Sequence, residues 1–217
     1  MRFLISILVC CQFMFLFAQE PKTHVEYYKS GKFKSKGTYK NNQKSGYWVY
    51  YNENEQKTHE GYFKNKIPVG LWTTYDYNQD QSLNGYYTSE LLNGKPIGEI
   101  SFYTPKGILI SQGQYKKDIK VGAWKNYDKN GNLLEKLTYI NGVPEGIWYS
   151  YYDNGNVNQT GFYVDGKPVD VLKTFHENGE LYKIGSLKDG KMHGVWKFYD
   201  ENGKYVKSIN YVLGKPM

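Results

Sequence analysis

Residues 131–155 read GNLLEKLTYINGVPEGIWYSYYDNG. Asn141-Gly142 divides the stretch, and Asn130-Gly131 and Asn154-Gly155 bound it. Asn-Gly tolerates the positive φ angles of primed hairpin turns, whose twist matches that of the flanking strands. Gly131 to Gly142 is 11 residues and Gly142 to Gly155 is 13. Two turns in that span leave about six to eight residues for each strand, an ordinary strand length. The stretch predicts one β-hairpin joined to its neighbours by further tight turns.

Working outward, Trp148 belongs to a column. Trp48, Trp72, Trp124, Trp148 and Trp196 lie 24, 52, 24 and 48 residues apart, and Ile100 and Leu172 fill the gaps to give 24, 28, 24, 24, 24 and 24. Two positions earlier stand Gly46, Gly70, Gly98, Gly122, Gly146, Asp170 and Gly194. Three positions later stand Tyr51, Tyr75, Tyr103, Tyr127, Tyr151, Phe175 and Tyr199. Nine positions earlier come Tyr39, Phe63, Tyr115, Tyr139, Tyr163 and Leu187. An eighth copy runs from Asp200 to Met217 and stops where the next Gly-x-Trp would fall. Columns held in phase this long mark a repeat architecture. The expected fold is all-β: an elongated single-layer antiparallel β-meander of about 24-residue hairpin repeats, seven full plus one partial.

Composition agrees. In 217 residues there are 23 Tyr and 23 Gly but 7 Pro, and 18% of residues are aromatic. Rings and glycines in that proportion argue for short strands and tight turns, against a helical bundle or a Rossmann-type fold.

The first residues differ from the rest. Arg2 precedes an apolar run from Phe3 to Phe17, and Ala18 offers a small residue before Gln19-Glu20-Pro21. The pattern predicts a signal peptide at 1–18, a short segment at 19–26 and the repeat domain at 27–217. It places the protein outside the cytoplasm, in the periplasm, at the cell surface or secreted. Val9 before Cys10 does not suit lipid attachment. Cleavage after Ala18 removes Cys10, Cys11 and Arg2, the only arginine, leaving 27 lysines against 21 acids, or +6. Without arginine the bidentate reading of phosphate or guanine is lost, and nucleic acid is not an expected partner.

The Gly-x-Trp-x-x-Tyr-x-x-Asn-Gly and Gly-x-Tyr-x-x-Gly elements resemble MORN-repeat variants, specifically the bacterial proteins grouped as YwqK-like antitoxins. The resemblance covers roughly residues 27–217 and implies a single-layer, twisted antiparallel sheet. It also implies a protein partner of toxin-like kind.

Stability in one layer is expected from contacts between rings on neighbouring strands, each about 0.2–1 kcal/mol. An open sheet has two exposed edges, and the lysine-rich first hairpin, with Lys32, Lys34 and Lys36 at alternate positions, reads as edge protection or as a basic end for an anionic surface. Departures from the repeat are the natural place for asymmetric contact. The third repeat carries four extra residues, read as lying within Thr88 to Leu92, and has Ile100 for Trp. Four extra residues lengthen a hairpin without turning any face over. The hairpin at 87–98 is therefore the expected protrusion, and Tyr87, Glu90, Leu91, Lys95 and Glu99 join the three lysines as candidate partner-binding residues.

Recognisable chemistry is absent. His24, His59, His176 and His193 lie in different repeats, no metal-ligand spacing or nucleophile elbow occurs, and Asp128 to Asn132 lacks the distal glutamate of a calcium loop. No enzyme activity, cofactor or metal is expected. The expected function is a non-catalytic exported scaffold that binds a protein partner, with a cell-envelope glycan or lipid headgroup as the alternative.

Overall fold

A computed structural model describes residues 22–217, and the expected leader at 1–18 lies outside them. The described residues form 18 strands in one open sheet with no helix. In the first half these are β1 (Lys22–Tyr27), β2 (Phe33–Lys40), β3 (Gln43–Tyr51), β4 (Lys57–Lys64), β5 (Ile67–Tyr77), β6 (Leu83–Leu92), β7 (Lys95–Tyr103), β8 (Leu109–Lys116) and β9 (Ile119–Tyr127). There follow β10 (Leu133–Ile140), β11 (Val143–Pro144), β12 (Gly146–Tyr151), β13 (Val157–Val164), β14 (Lys167–Phe175), β15 (Leu181–Lys188), β16 (Lys191–Tyr199), β17 (Tyr205–Val212) and β18 (Lys215–Pro216). Each strand pairs antiparallel with the next in sequence; β11 and β12 are one strand interrupted at Glu145, both paired to β10. The sheet is the meander expected from the repeat.

The paired strands begin at Lys22, ahead of the boundary expected at residue 27. β1 pairs with β2 along its whole length, with His24 opposite Gly37 as Trp48 is opposite Gly61. His24 stands 24 residues before Trp48 and meets the edge of Tyr39 at 5.0 Å, so it holds the first place in the tryptophan column. β2 is therefore paired on both sides, and Lys34 and Lys36 do not protect an edge.

The two turn types divide between the two margins of the sheet. At Asn141-Gly142 both residues have positive φ, 51° and 82°, the primed geometry expected. At Asn130-Gly131 only the glycine does, at 88°. There Gly131 N–H donates to Asp128 O at 3.1 Å and Asp128 N–H to Asn132 O at 2.9 Å, a type I turn closed by a bulged glycine. Asp128 Oδ1 accepts from the N–H groups of Asn130 and Asn132, both at 2.8 Å, and holds that geometry. Asn154-Gly155, Asn178-Gly179 and Asn202-Gly203 follow the same pattern and likewise depart from the primed turns expected of them.

The core is a row of indoles lying flat on glycines. Trp48, Trp124 and Trp196 are at most 1% exposed although the sheet has only one layer. Each covers a glycine on the preceding strand: Trp48 on Gly37, Trp72 on Gly61, Trp124 on Gly113 and Trp196 on Gly185, so close that a Cβ there would overlap the ring. Three of these indoles donate Nε1–H to a carbonyl beside that glycine: Trp48 to Thr38 O at 3.2 Å, Trp72 to Tyr62 O at 3.3 Å and Trp196 to Ser186 O at 3.0 Å. The aromatic nine positions earlier closes the gap between indoles, edge to face: Tyr39 to Trp48 at 5.3 Å, Phe63 to Trp48 at 6.1 Å and Phe63 to Trp72 at 5.2 Å. The tyrosine column, three residues on from the tryptophans, falls on the opposite face by strand alternation.

Replacing Gly37 by Ala puts a methyl group where the Trp48 indole lies. A loss of about 1–3 kcal/mol, the usual cost of overpacking, is the expected result. Urea unfolding followed by tryptophan fluorescence measures it, and an unchanged midpoint would contradict the seating described.

Candidate functional site

The four extra residues of the third repeat do not lengthen the 87–98 hairpin. They fall two on β5 and two on β6, which have 11 and 10 residues against 9 and 8 for β3 and β4. The hairpin that grows is the one turning at 78–82. Its register runs unbroken from Gly70↔Leu91 to Asp76↔Gly85 and sets Ser89, not Gly85, opposite Trp72. An insertion is absorbed at whichever end of the hairpin leaves the alternation of faces intact, and here that is the bulged-turn end.

This shift explains Ile100. In the regular repeats a glycine sits where Ser89 now pairs with β7, and an indole covers it. Ser89 carries a side chain, no indole can lie flat on it, and Ile100 occupies the tryptophan position. The missing ring leaves a concave site of about 640 Å³ on the tryptophan face. Trp72, Tyr87, Phe102 and Tyr115 supply its aromatic walls, and Lys116 and Asp118 stand among its polar residues. The volume lies in the range of small-ligand sites, roughly 300–1,000 Å³.

The candidate residues separate on this geometry. Tyr87 and Leu91 line the cleft; Glu99 borders both it and a cavity of about 360 Å³ on the other face, where Glu90 lies. The Glu99 carboxylate accepts from Gln112 Nε2 at 2.6 Å. Lys95 stands exposed at the start of β7 and lines neither cavity. The lysines of the first hairpin are strands away. Lys32 lies in a turn and donates to Glu53 O at 2.8 Å, Lys34 sits 5.9 Å from the Tyr28 ring, and Lys36 borders a separate cavity with Tyr47 and Tyr51. Sequence reasoning missed Trp72, Phe102, Tyr115 and His59 as cleft residues. The available signal was Ile100 itself, because removing one ring from a stack uncovers the rings beside it.

The cleft is also where the sheet comes apart. In the regular repeats the glycine before the tryptophan pairs with the ring-bearing residue of the next strand: Gly46↔Phe63, Gly122↔Tyr139, Gly146↔Tyr163 and Gly194↔Tyr211. Between β7 and β8 the register stops at Ile100↔Gly113, and Gly98 has no partner in Tyr115. A second tie is missing at the same place. At five other primed turns the second residue donates its N–H to the preceding repeat, among them Lys66 to Lys44 O at 2.8 Å, Gly142 to Lys120 O at 2.9 Å and Gly214 to Met192 O at 2.8 Å. Among the described residues, no such bond joins Asp118 to Pro96, nor Gly190 to Pro168 in the sixth repeat.

Two polar clusters flank the site. On the cleft side His59 stacks on Tyr50 at 4.2 Å, and Lys44 Nζ donates to Tyr50 Oη at 2.9 Å while lying 4.1 Å from the Trp48 ring. Burial, and then the Lys44 charge, hold the His59 imidazole below its ordinary value. On the opposite face Tyr75 donates to Glu60, and Lys57 Nζ does so at 2.9 Å. Burial works to raise the Glu60 carboxyl, but the hydrogen bonds from Tyr75, Lys57 and Tyr47 outweigh it and the net shift is downward. Burial and the Glu60 carboxylate push the Tyr47 hydroxyl up to about 12. Among the described residues no group of three His, Cys, Asp or Glu side chains is placed to hold a metal ion.

The profile of the MORN repeat variant family matches residues 22–41, 120–141, 144–165 and 192–212. The first match starts with β1, in agreement with the paired strand found there. No curated protein matches the chain. Among solved structures, a point mutant of S. aureus TarM, crystallised with Fondaparinux, alpha-GlcNAc-glycerol and UDP, aligns with a TM-score of 0.34 and 16% identity over 44% of this chain and 19% of that one. A porin-like protein from Bacteroides uniformis aligns with a TM-score of 0.21 and 11% identity over 73% of this chain and 91% of that one. Neither alignment bears on what this chain binds.

Because the His59 pKa is lower in the fold than in the unfolded chain, the unfolded chain takes up the proton first. The stability this neutral ring contributes is complete above about pH 6.5 and is lost as the pH falls toward the folded value. Thermal melts at pH 7.5 and 5.0 are expected to show a lower midpoint at the acid pH. His59→Phe, which keeps a ring against Tyr50, is expected to narrow the difference.

Proposed function

We propose that this chain is a non-catalytic, exported repeat scaffold that binds a protein partner in the cleft of the third repeat. The observation that carries the reading is the cleft itself, an aromatic-walled concavity where the third repeat loses a ring. Tyrosine and tryptophan are favoured at protein interfaces, where a large ring is buried at little entropic cost. The resemblance to YwqK-like antitoxins suggests an exported toxin-like protein as the partner, with this chain as its neutralising module. Export rests on the apolar run from Phe3 to Phe17 followed by Ala18.

The non-catalytic reading draws on the sequence and on the surroundings of two of the cleft's titratable groups. Glu99 accepts from Gln112 and His59 lies stacked on Tyr50, and the sequence pairs neither of them with a nucleophile elbow or a metal-ligand spacing. The glycan or lipid-headgroup reading draws on the same rings, but its basic end, Lys32, Lys34 and Lys36, lies strands away from the cleft.

Culture supernatant and cell-envelope extract passed over the immobilised full chain test the proposal. One protein retained in near-stoichiometric amount is expected, with retention reduced roughly tenfold or more by Tyr115→Ala and unaffected by Lys34→Gln. Retention of glycan or lipid without such a protein, weakening steeply as salt rises, would overturn it.

A further inference from the structure

We propose that the seam between β7 and β8 binds the extended main chain of a partner segment by strand addition. This deepens the preceding reading and rests on it. The argument starts from the ladder. Gly98 and Glu99 form the bulge of β7, so the β6–β7 register passes from Ser89↔Ile100 to Glu90↔Ile97 without them. In the regular repeats the two bulge residues pair instead with the following strand, as Gly46 and Tyr47 do with Phe63 and Tyr62. Here that register is absent, and Gly98 and Glu99 have a ladder partner on neither side.

The other bank is complementary. Lys116 and Ile119 flank the primed turn and face each other, so by antiparallel alternation Tyr115 directs its N–H and C=O away from β9 and into the seam. Pro96 C=O and Asp118 N–H, which lack the turn-to-strand bond made at those other turns, extend the same row. Two strand banks with unmet donors and acceptors call for a third chain, because strand main-chain groups left without partners are a template for added strands. The seam is closed at Ile100↔Gly113 and open toward the two primed turns, so it is a wedge that admits about three residues of extended chain. Alternate side chains of such a segment would meet the rings of Trp72, Tyr87 and Phe102.

Charge agrees with this occupant. Of the charged residues lining the cleft, Lys116 stands against Asp118 and Glu99, a balance that offers a polyanion nothing and suits an uncharged main chain.

A phage-displayed library of random hexapeptides selected on the immobilised full chain is the first probe. Recovered peptides are expected to share alternating apolar residues and to protect the Tyr115 amide from hydrogen exchange by tenfold or more. N-methylation of a central peptide amide, which leaves every side chain in place, is expected to weaken binding at least tenfold. The double variant Ser89→Gly/Ile100→Trp restores the glycine seat and its indole, and is expected to abolish binding while keeping the β-sheet circular dichroism spectrum. N-methylated peptides that bind as tightly as their parents would overturn strand addition while leaving the protein-partner reading intact. Failure to recover any peptide that protects Tyr115, together with binding of methyl N-acetylglucosaminide in the same cleft, would overturn both.

Discussion

The structure depends on an indole lying flat on a glycine of the preceding strand. A single-layer sheet has no second layer to cover its core, so each repeat must bury its own largest side chain against bare backbone. Burying roughly 150–250 Å² of ring at about 25 cal/mol/Å² contributes about 4–6 kcal/mol. An edge-to-face ring pair adds about 0.5–1.5 kcal/mol beyond that burial. The seating of the indole therefore outweighs the ring-to-ring contacts, which fill the space between seats. The seat also needs a glycine, since at Gly37, Gly61, Gly113 and Gly185 a methyl group would occupy the ring's place.

The same rule accounts for the sixth repeat. Leu137 occupies the position in which the other repeats place the glycine for the next tryptophan, and it is itself buried. Trp148 cannot lie on it and turns instead toward Gly161 on the following strand, where its Nε1 is the ring atom nearest to the glycine. Gly161 is vacant because Leu172, not tryptophan, follows it. The two leucines are thus one compensated change. Trp148 does not find the carbonyl that Trp48, Trp72 and Trp196 do, and its Nε1, like that of the seated Trp124, has no hydrogen-bond partner. A space of about 10 Å³ remains beside it, and a concavity of about 440 Å³ lies further along, between Lys167, Pro168 and Val169 on one side and Leu187, Asp189 and Gly190 on the other.

The period, the tryptophan column and the hairpin meander were legible in the sequence because they repeat. Three features were not. His24 holds a column position but is not a tryptophan, so the first strand was set outside the array. The Asn-Gly dipeptide occurs in both turn types; Asp128 and Asp200 mark two of the bulged turns through carboxylates that take the turn's N–H groups, but Tyr152 and His176 hold that place in the other two and give no such signal. The extra residues of the third repeat can be accommodated at either end of a hairpin without reversing a face, and only the pairing of Trp72 with Ser89 decides between them. The cleft was half legible. Tyr87, Leu91 and Glu99 were picked out by their nearness to the irregularity, whereas Trp72, Phe102 and Tyr115 looked like ordinary members of their columns.

The two irregular repeats answer a question that a regular array poses, namely where an asymmetric contact belongs. Repeat proteins add nearest-neighbour terms, so a lost term is felt locally and need not spread. At Leu172 a neighbour's displaced indole takes the vacant glycine. At Ile100 no ring is available, because Trp72 already covers Gly61 and Trp124 already covers Gly113, one on each side of the gap. The vacancy therefore persists as a cleft, and the strands that would have been drawn together by a ring meeting Tyr115 stay parted. A defect that no neighbouring ring fills is a place where an outside chain can complete both the packing and the hydrogen bonding.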